Sequence, residues 1–241
     1  MTIDEKKHET HASSASVVNR LATKALALHQ SKPSSERVLI AIAGVPGSGK
    51  TTLAENVASV INAKIDVDHS RPDNFVAIVP MDGFHLYRSE LASMPNPQEA
   101  IHRRGAAFTF NAERFYQLVR ALREPLTERT ETIFAPSFDH ALKDPVEKDI
   151  AISRETGIVI LEGLYLTLNR EPWKSAASLM DELWFINVDR EIAKARLIKR
   201  HVASGIVRDT AAAECRVVGT DLLNADDILA NRLFVNEYIQ A

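Results

Sequence analysis

The sequence predicts an α/β fold in which a parallel sheet is covered by helices on both faces. Three observations support this prediction: four unbroken apolar runs of strand length, helical patterns that alternate with them, and a glycine-rich segment between the first run and a helix. Unbroken apolar strands separated by helices are typical of parallel sheets, whose ligands bind beyond the carboxyl ends of the strands. We therefore expect the functional residues at that edge.

The N-terminal part of the chain, residues 1–35, is predicted to precede the main domain. About the first dozen residues are polar and predict a loose segment. Apolar residues then recur at three- and four-residue spacing, which predicts an amphipathic helix: Val17, Leu21, Ala25 and Leu28. Residues 31–35 predict a linker to a single domain over residues 36–241.

Strand and helix patterns alternate through that domain. The predicted strands are apolar runs: 38–43, 75–81, 158–161 and 183–188. The predicted helices carry caps or stop signals, or follow the glycine-rich loop: 50–61, 111–123, 189–204, a short helix from Asp209, and a helical tail over 225–239. Residues 132–138 are predicted to be extended.

The glycine-rich segment is a phosphate-binding pattern. Residues 44–52 read GVPGSGKTT, which matches G-x-x-x-x-G-K-[ST]. Such a P-loop wraps backbone N–H groups around a polyphosphate at a helix N-terminus, so the fold is predicted to be of the P-loop NTPase type. Lys50 is expected to contact the β and γ phosphates of ATP, and Thr51 the Mg²⁺. The predicted nucleotide site comprises the whole loop: Gly44, Val45, Pro46, Gly47, Ser48, Gly49, Lys50, Thr51 and Thr52.

Two carboxylates follow predicted strands at the same sheet edge. Asp82 comes after the second apolar run and Glu162 after the third, each directly before a glycine. Phosphoryl transfer requires a carboxylate that orients the attacking hydroxyl and another that holds Mg²⁺. The simpler alternative is that each acid caps a turn.

The segments GVPGSGKTT, MDGFH, VILEGLYL and FINVD resemble the uridine kinase, pantothenate kinase and phosphoribulokinase family of small-molecule kinases. The resemblance extends over nearly all of residues 37–239. It implies that Asp82 is the base facing the acceptor hydroxyl and that Glu162 helps bind Mg²⁺ and substrate. We also place His85, in the MDGFH segment, among the substrate residues.

The segment APSFDH, residues 135–140, is similar to the A-P-x-Y-S-H stretch of bacterial pantothenate kinases, in which Tyr and His touch the substrate. The resemblance makes Phe138 and His140 substrate candidates. Phe138 replaces the family's Tyr, Asp139 replaces its Ser, and the Y-D-x-x-T-H-S-R stretch of typical uridine kinases is missing from the sequence. These departures leave open an acceptor other than pantothenate or uridine. We expect the substrate region at about residues 83–150.

Basic residues suggest further contacts. Arg103 and Arg104 lie in a turn-rich segment, where one guanidinium could clamp a substrate oxygen; we assign Arg103 this role, and a solvated loop is the alternative. Arg196 and Arg200 share one face of the predicted 189–204 helix. In similar kinases this helix belongs to a lid, here about residues 190–215, that closes over ATP. We assign Arg196 to nucleotide binding and Arg200 to catalysis, against the alternative of a solvated basic face.

Composition limits the classes of partner. Lys+Arg 29 against Asp+Glu 32 gives a net charge of −3, with no long block of one sign, so we expect neither nucleic acid nor a membrane as the main partner. A small molecule is expected instead, and homo-oligomer formation stays open. The single cysteine, Cys215, is expected to pack in a helix. The mixed-charge N-terminus and the lone cysteine predict a cytoplasmic protein.

The leading functional hypothesis is an ATP-dependent kinase that transfers the γ-phosphoryl group to a hydroxyl of a nucleoside, pantothenate-like compound or sugar. The alternative is a P-loop ATPase or GTPase that couples hydrolysis to a conformational change. The sequence has no N-K-x-D or T-K-x-D segment of the kind that guanine-specific switches carry, which counts against that alternative. A nucleotide-binding protein without catalysis is a third hypothesis, disfavoured by intact Lys50, Thr51, Asp82 and Glu162.

Overall fold

The computed structural model describes residues 14–66 and 75–241, and the predicted loose segment at residues 1–13 lies outside these. The helices are α1 (Ala15–Ser31), α2 (Lys50–Asp66), α3 (Arg88–Ala92), α4 (Pro97–His102), α5 (Ala112–Arg123), α6 (Trp173–Ser178), α7 (Arg190–Ala203), α8 (Thr210–Arg216) and α9 (Leu222–Ala230). The strands are β1 (Val38–Gly44), β2 (Val76–Pro80), β3 (Ile133–Asp139), β4 (Asp144–Ile152), β5 (Ile158–Gly163), β6 (Glu182–Asn187) and β7 (Glu237–Gln240). Two 3₁₀ turns, Met81–Phe84 and Ala107–Thr109, and one π-helical turn, Val217–Asp221, complete the description.

A five-stranded parallel sheet with the order β2-β5-β1-β6-β7 forms the centre of the molecule. Successive residues of a strand point to opposite faces. Leu39 and Ala41 accordingly lie in a core with α5, α6 and α9, whereas Ile40 and Ile42 lie in a second core with α1 and α2. Helices therefore cover both faces, and the predicted fold class is confirmed.

Strand register brings three chain segments to one edge of the sheet. Ala43 at the end of β1 is level with Gly163 of β5, and Pro80 at the end of β2 is level with Glu162. The chain leaves β1 into the P-loop and leaves β2 into the 3₁₀ turn that contains Asp82. The predicted convergence of these segments thus follows from parallel pairing alone.

The predicted amphipathic helix is present as α1. Its apolar face packs in the same core as α2 and β1. Lys24 of α1 forms two ion pairs with the last two strands of the sheet, to Glu182 Oε2 at 2.7 Å and to Glu237 Oε1 at 2.9 Å. These contacts join α1 to β6 and β7.

The predicted helical tail over residues 225–239 is wrong. Helix α9 ends at Ala230, and residues 237–240 form β7, which extends the sheet beside β6. Ile239 is buried in the core, and the Arg232 guanidinium lies 4.9 Å from the Phe185 ring and 5.0 Å from the Tyr238 ring. Pairing with β6 satisfies the backbone of this segment and buries its apolar side chain, which outweighs local helical periodicity.

Cys215 was expected to lie in a helix and to pack there, and the expectation of packing is wrong. Cys215 does lie in α8, but it is exposed. Ala213, two residues earlier, is the buried residue of this helix. Positions two apart on a helix point about 200° apart, so the face that packs leaves the thiol in solvent.

The extended segment predicted at residues 132–138 forms β3, which pairs with β4 in an antiparallel hairpin. This hairpin lies against the 3₁₀ turn of residues 81–84. A side chain at Gly83 would place Cβ 2.2 Å from the Pro136 carbonyl oxygen. Only glycine allows this approach, which fixes the neighbouring Asp82 beside the hairpin.

Gly83→Ala is therefore expected to destabilise the protein by about 1–3 kcal/mol through overpacking. Gly219→Ala is the matched control, because a Cβ there meets no atom within 4 Å and the position is helical. Thermal melts should show a lower Tm for Gly83→Ala and an unchanged or higher Tm for Gly219→Ala. Equal Tm values for Gly83→Ala and wild type would contradict the close packing of the hairpin.

Candidate active site

The P-loop depends on two glycines and on contact with α7. Gly47 and Gly49 have φ values of 77° and 91°, a left-handed conformation that favours glycine. A Cβ at Gly47 would lie 2.9 Å from the Ala193 carbonyl oxygen and 3.1 Å from Leu197 Cγ. Helix α7 thus lies directly on the P-loop, where a larger residue would separate the two.

Lys50 is buried among charged groups at the start of α2. It is 8% exposed, and its Nζ donates to the Val45 carbonyl oxygen at 3.1 Å. Burial lowers the pKa of Lys50 to about 8, the charge of Arg200 adds to this effect, and the carboxylates of Glu162 and Asp82 oppose it. The structure therefore gathers these four charges around the P-loop.

Buried Glu162 and exposed Thr51 form an oxygen pair. Thr51 Oγ1 donates to Glu162 Oε1 at 3.1 Å. Burial raises the pKa of Glu162, as does the negative charge of Asp82, while Lys50 lowers it. A carboxylate held in this way is stabilised by a bound cation.

This oxygen pair fits Mg²⁺ bound together with nucleotide. Mg²⁺ usually takes one or two protein oxygens and completes its shell with phosphates and water. Within residues 14–66 and 75–241, no group of three or more His, Cys, Asp and Glu residues could hold a metal ion. Thr51 and Glu162 would therefore share the ion with the phosphates of ATP.

Asp82 and His85 lie together in and after the 3₁₀ turn. The Asp82 side chain is 45% exposed, so its carboxylate is open to a reacting group. His85 Nδ1 donates to the Asp82 carbonyl oxygen at 2.9 Å and lies 3.9 Å from Asp82 Oδ1. Burial lowers the pKa of His85, with Arg104 and His140 adding to the effect. A neutral imidazole with its proton on Nδ1 therefore stands beside the carboxylate.

Aromatic rings surround His85. Its ring centroid lies 4.0 Å from that of Phe110 and 4.9 Å from that of Phe138. Phe138 in turn lies 5.2 Å from His140, which is exposed near the end of the hairpin. The structure thus brings Phe138 to His85 and Asp82, and places His140 at the outer side of this group.

The two neighbouring arginines have different roles. Arg104 Nη2 donates to Asp144 Oδ1 at 3.0 Å and to the Leu86 carbonyl oxygen at 3.1 Å, and Nη1 donates to the Lys143 carbonyl oxygen at 2.5 Å. Arg104 therefore ties the hairpin to the segment after His85. Arg103 makes one such bond, from Nη2 to Asn224 Oδ1 at 3.3 Å, and keeps more of its guanidinium available.

Arg196 and Arg200 lie on the exposed side of α7, the helix that packs on the P-loop. Arg196 Nη1 donates to the Gly47 carbonyl oxygen at 3.4 Å. Arg200 lies one turn further along, and its charge contributes to the low pKa of Lys50. Both predicted positions are thus at the phosphate-binding edge.

One acidic residue of this group was not predicted. Glu55 lies close enough to Glu162 for its charge to raise the pKa of that carboxyl. It stands four residues after Thr51 on α2, so helical spacing alone puts both on one face. The four-residue spacing from Thr51 is the sequence feature from which Glu55 could have been predicted.

Comparison with known proteins agrees with this geometry. The model of the Phosphoribulokinase / Uridine kinase family matches residues 39–211. The chain belongs to this family. Its members are P-loop kinases, which supports an ATP-dependent kinase activity for this chain. The match covers the P-loop, Asp82, Glu162, Arg196 and Arg200.

Individual relatives give the same assignment. A protein of Aspergillus versicolor named ATP-dependent kinase-like protein notR' is 67% identical over 159 residues, which cover 66% of this chain and 92% of that protein. A protein of Schizosaccharomyces pombe with the provisional name uridine kinase C227.14 is 41% identical over 189 residues, 78% of this chain and 77% of that protein. The crystal structure of YFH7 from Saccharomyces cerevisiae superposes with a TM-score of 0.82 at 27% identity, and the match covers 93% of this chain and 98% of that one.

The part of the chain that the structure describes contains no helix long and apolar enough to cross a membrane.

Lys50→Met removes the buried ammonium from the site. Because burial lowers the pKa of Lys50 to about 8, the folded protein carries this charge at pH 7 at a cost in stability. We expect the nucleotide-free variant to melt above the wild type at pH 7 and to lose roughly 10²-fold or more of its turnover. The difference in Tm should shrink as the pH rises from about 8 towards 10.5, because folded wild type then releases a proton that its unfolded chain keeps.

Lys64→Met is the matched control, since Lys64 lies on the same helix, is exposed and bonds Thr23. It should leave turnover and the pH dependence of Tm unchanged. Scanning calorimetry across this pH range measures both variants. A Lys50→Met protein with wild-type turnover would contradict the assigned role of Lys50.

Proposed function

We propose that this protein is an ATP-dependent kinase that transfers the γ-phosphoryl group of ATP to a hydroxyl of a small metabolite. One observation carries the proposal: Lys50, Thr51, Glu162 and Asp82 meet at a single sheet edge, with Asp82 the more exposed carboxylate. The P-loop and the N-terminus of α2 would bind the phosphates, and Lys50 would neutralise charge between the β and γ groups.

Mg²⁺ would be held by Thr51 and Glu162, and when bound it neutralises the phosphate oxygens. This chain's residues supply the remaining requirements. Asp82 accepts the proton of the acceptor hydroxyl while the hydroxyl oxygen forms a bond to the γ-phosphorus. The bond between the γ-phosphorus and the β-γ bridging oxygen breaks, and ADP leaves with that oxygen. The products are a phosphate monoester, ADP and a protonated Asp82, which returns its proton to solvent.

The acceptor pocket is proposed to lie between Asp82 and the β3–β4 hairpin. His85, Phe110 and Phe138 give it aromatic walls, and the neutral imidazole offers a polar edge. Such walls suit a compact polyhydroxylated or ring-bearing acceptor, as in a nucleoside, a sugar or a pantothenate-like compound. Arg103 and His140 are the proposed outer contacts to its polar groups.

A panel assay tests this function directly. Purified protein is incubated with ATP, Mg²⁺ and single hydroxyl-bearing metabolites, ADP release is measured, and the phosphorylated product is identified by mass spectrometry. One acceptor should stimulate ADP release well above the rate with ATP alone, because closure of the lid around both substrates completes the charge partners of the γ-phosphate. Hydrolysis that is equally fast without any acceptor would favour an ATPase instead.

Asp82→Asn should separate nucleotide binding from chemistry. The amide keeps the shape of the side chain but cannot accept the hydroxyl proton, so kcat should fall roughly 10²-fold or more. Affinity for ATP, measured by calorimetry, should change little. Asp149→Asn, an exposed position on β4, is the control and should behave as wild type. Loss of ATP binding with unchanged turnover at saturating ATP would make Asp82 a nucleotide ligand rather than the base.

A further inference from the structure

Two adjacent residues near the end of α7 point to different parts of the molecule. Arg200 is exposed and lies one helical turn after Arg196, whose Nη1 donates to the Gly47 carbonyl oxygen of the P-loop at 3.4 Å. His201 is 3% exposed, and its side chain contacts the segment between α8 and α9. Neighbouring residues on a helix are about 100° apart, so a contact that holds His201 also sets the direction of Arg200.

His201 is held by a carboxylate. Its Nε2 lies 2.8 Å from Asp221 Oδ2. A carboxylate only accepts, so Nε2–H donates the hydrogen bond to Asp221. The His201 carbonyl oxygen also accepts from the backbone N–H of Ile206 at 3.0 Å, which fixes the loop after α7. His201 therefore joins the end of α7, the following loop and the segment that contains Asp221.

Asp221 is the last residue of the π-helical turn, which links α8 to α9. Such turns recur at functional sites, because they interrupt regular helical spacing to direct particular side chains. Three residues on, buried Asn224 accepts from Arg103 Nη2 at 3.3 Å. The segment that presents Asp221 is thus anchored to the substrate region.

This junction contains more polar groups than its packing requires. Among the residues described, His201 Nδ1, Thr220 Oγ1 and Arg216 Nε are buried without a hydrogen-bond partner. Each such atom loses hydration without compensation, and apolar side chains would stabilise a helix junction better. A buried polar pair is weak evidence for stability, and its best-attested role is to fix one arrangement of the elements it joins.

We propose that the His201–Asp221 pair positions Arg200 for contact with the γ-phosphate of bound ATP. This inference rests on the proposed function, in which Arg200 offsets charge on the transferred group. His201 and Asp221 are positioning residues, because they act through Arg200. Without the pair, α7 keeps its packing on the P-loop through Leu197, but its last turn loses the link that sets the direction of Arg200.

The test compares binding of ADP with binding of the non-hydrolysable ATP analogue AMP-PNP, each with Mg²⁺, by calorimetry. Arg200→Ala should reduce the preference for AMP-PNP over ADP by about tenfold, because a charge-assisted contact to the γ-phosphate is lost. His201→Ala should reduce it similarly, and the double variant should lose little more than either single one. His201→Gln, whose amide can donate to Asp221, should recover much of the preference. Asp221→Ala breaks the pair from its other side and should match His201→Ala.

Asp226→Ala is the matched control. It breaks an exposed ion pair between Arg190 and Asp226 at 2.5 Å, which joins the first residue of α7 to α9. Its nucleotide preference should equal that of the wild type. Melting curves show which variants fold; if His201→Ala does not, Asp221→Ala and His201→Gln decide the outcome.

Folded His201→Ala or Asp221→Ala protein with the wild-type preference would overturn the proposal, as would an unchanged preference in Arg200→Ala. Failure of the proposed function is distinguishable from either result. If no metabolite is phosphorylated while the variants lose preference as expected, the kinase assignment fails and the positioning of Arg200 stands.

Discussion

The alignment of parallel strands is the constraint on which the rest of the site depends. Because β1, β2 and β5 end level with one another, the P-loop, Asp82 and Glu162 share one edge without any special loop design. Two further elements pack closely against that edge at glycines: α7 lies on Gly47, and the β3–β4 hairpin lies on Gly83. A side chain at either glycine would separate the site from the element that completes it.

The pKa values of two buried groups at this edge are shifted in opposite directions. Lys50 is buried and its pKa is lowered, while burial raises the pKa of Glu162. Both groups are thus held in surroundings that disfavour their charges, and a magnesium nucleotide supplies charges of the opposite sign to each. Nucleotide binding would therefore stabilise both charges. The burial that makes the empty site less stable is also what would favour binding of the nucleotide. The Asp82 side chain is 45% exposed, so the proposed acceptor would reach it from solvent.

The sequence predicted those features that depend on local pattern. The P-loop, both carboxylates and the strands that precede them are encoded within about ten residues each, so the parallel sheet and its functional edge could be predicted. Strand β7 could not, because it forms through pairing with β6, and β4 contains too many polar residues to show a buried run. The separate roles of Arg103 and Arg104 depend on Asn224 and Asp144, which are distant in sequence.

A crystal structure with AMP-PNP and Mg²⁺ would test the central claim most directly, namely that phosphate, metal and base meet at this edge. The account predicts that Lys50 Nζ contacts the β and γ phosphates, that the ion lies beside Thr51 Oγ1 and Glu162, and that the γ-phosphate faces the Asp82 carboxylate with room for a hydroxyl between them. A γ-phosphate directed away from Asp82, or an ion bound without Thr51 and Glu162, would contradict it.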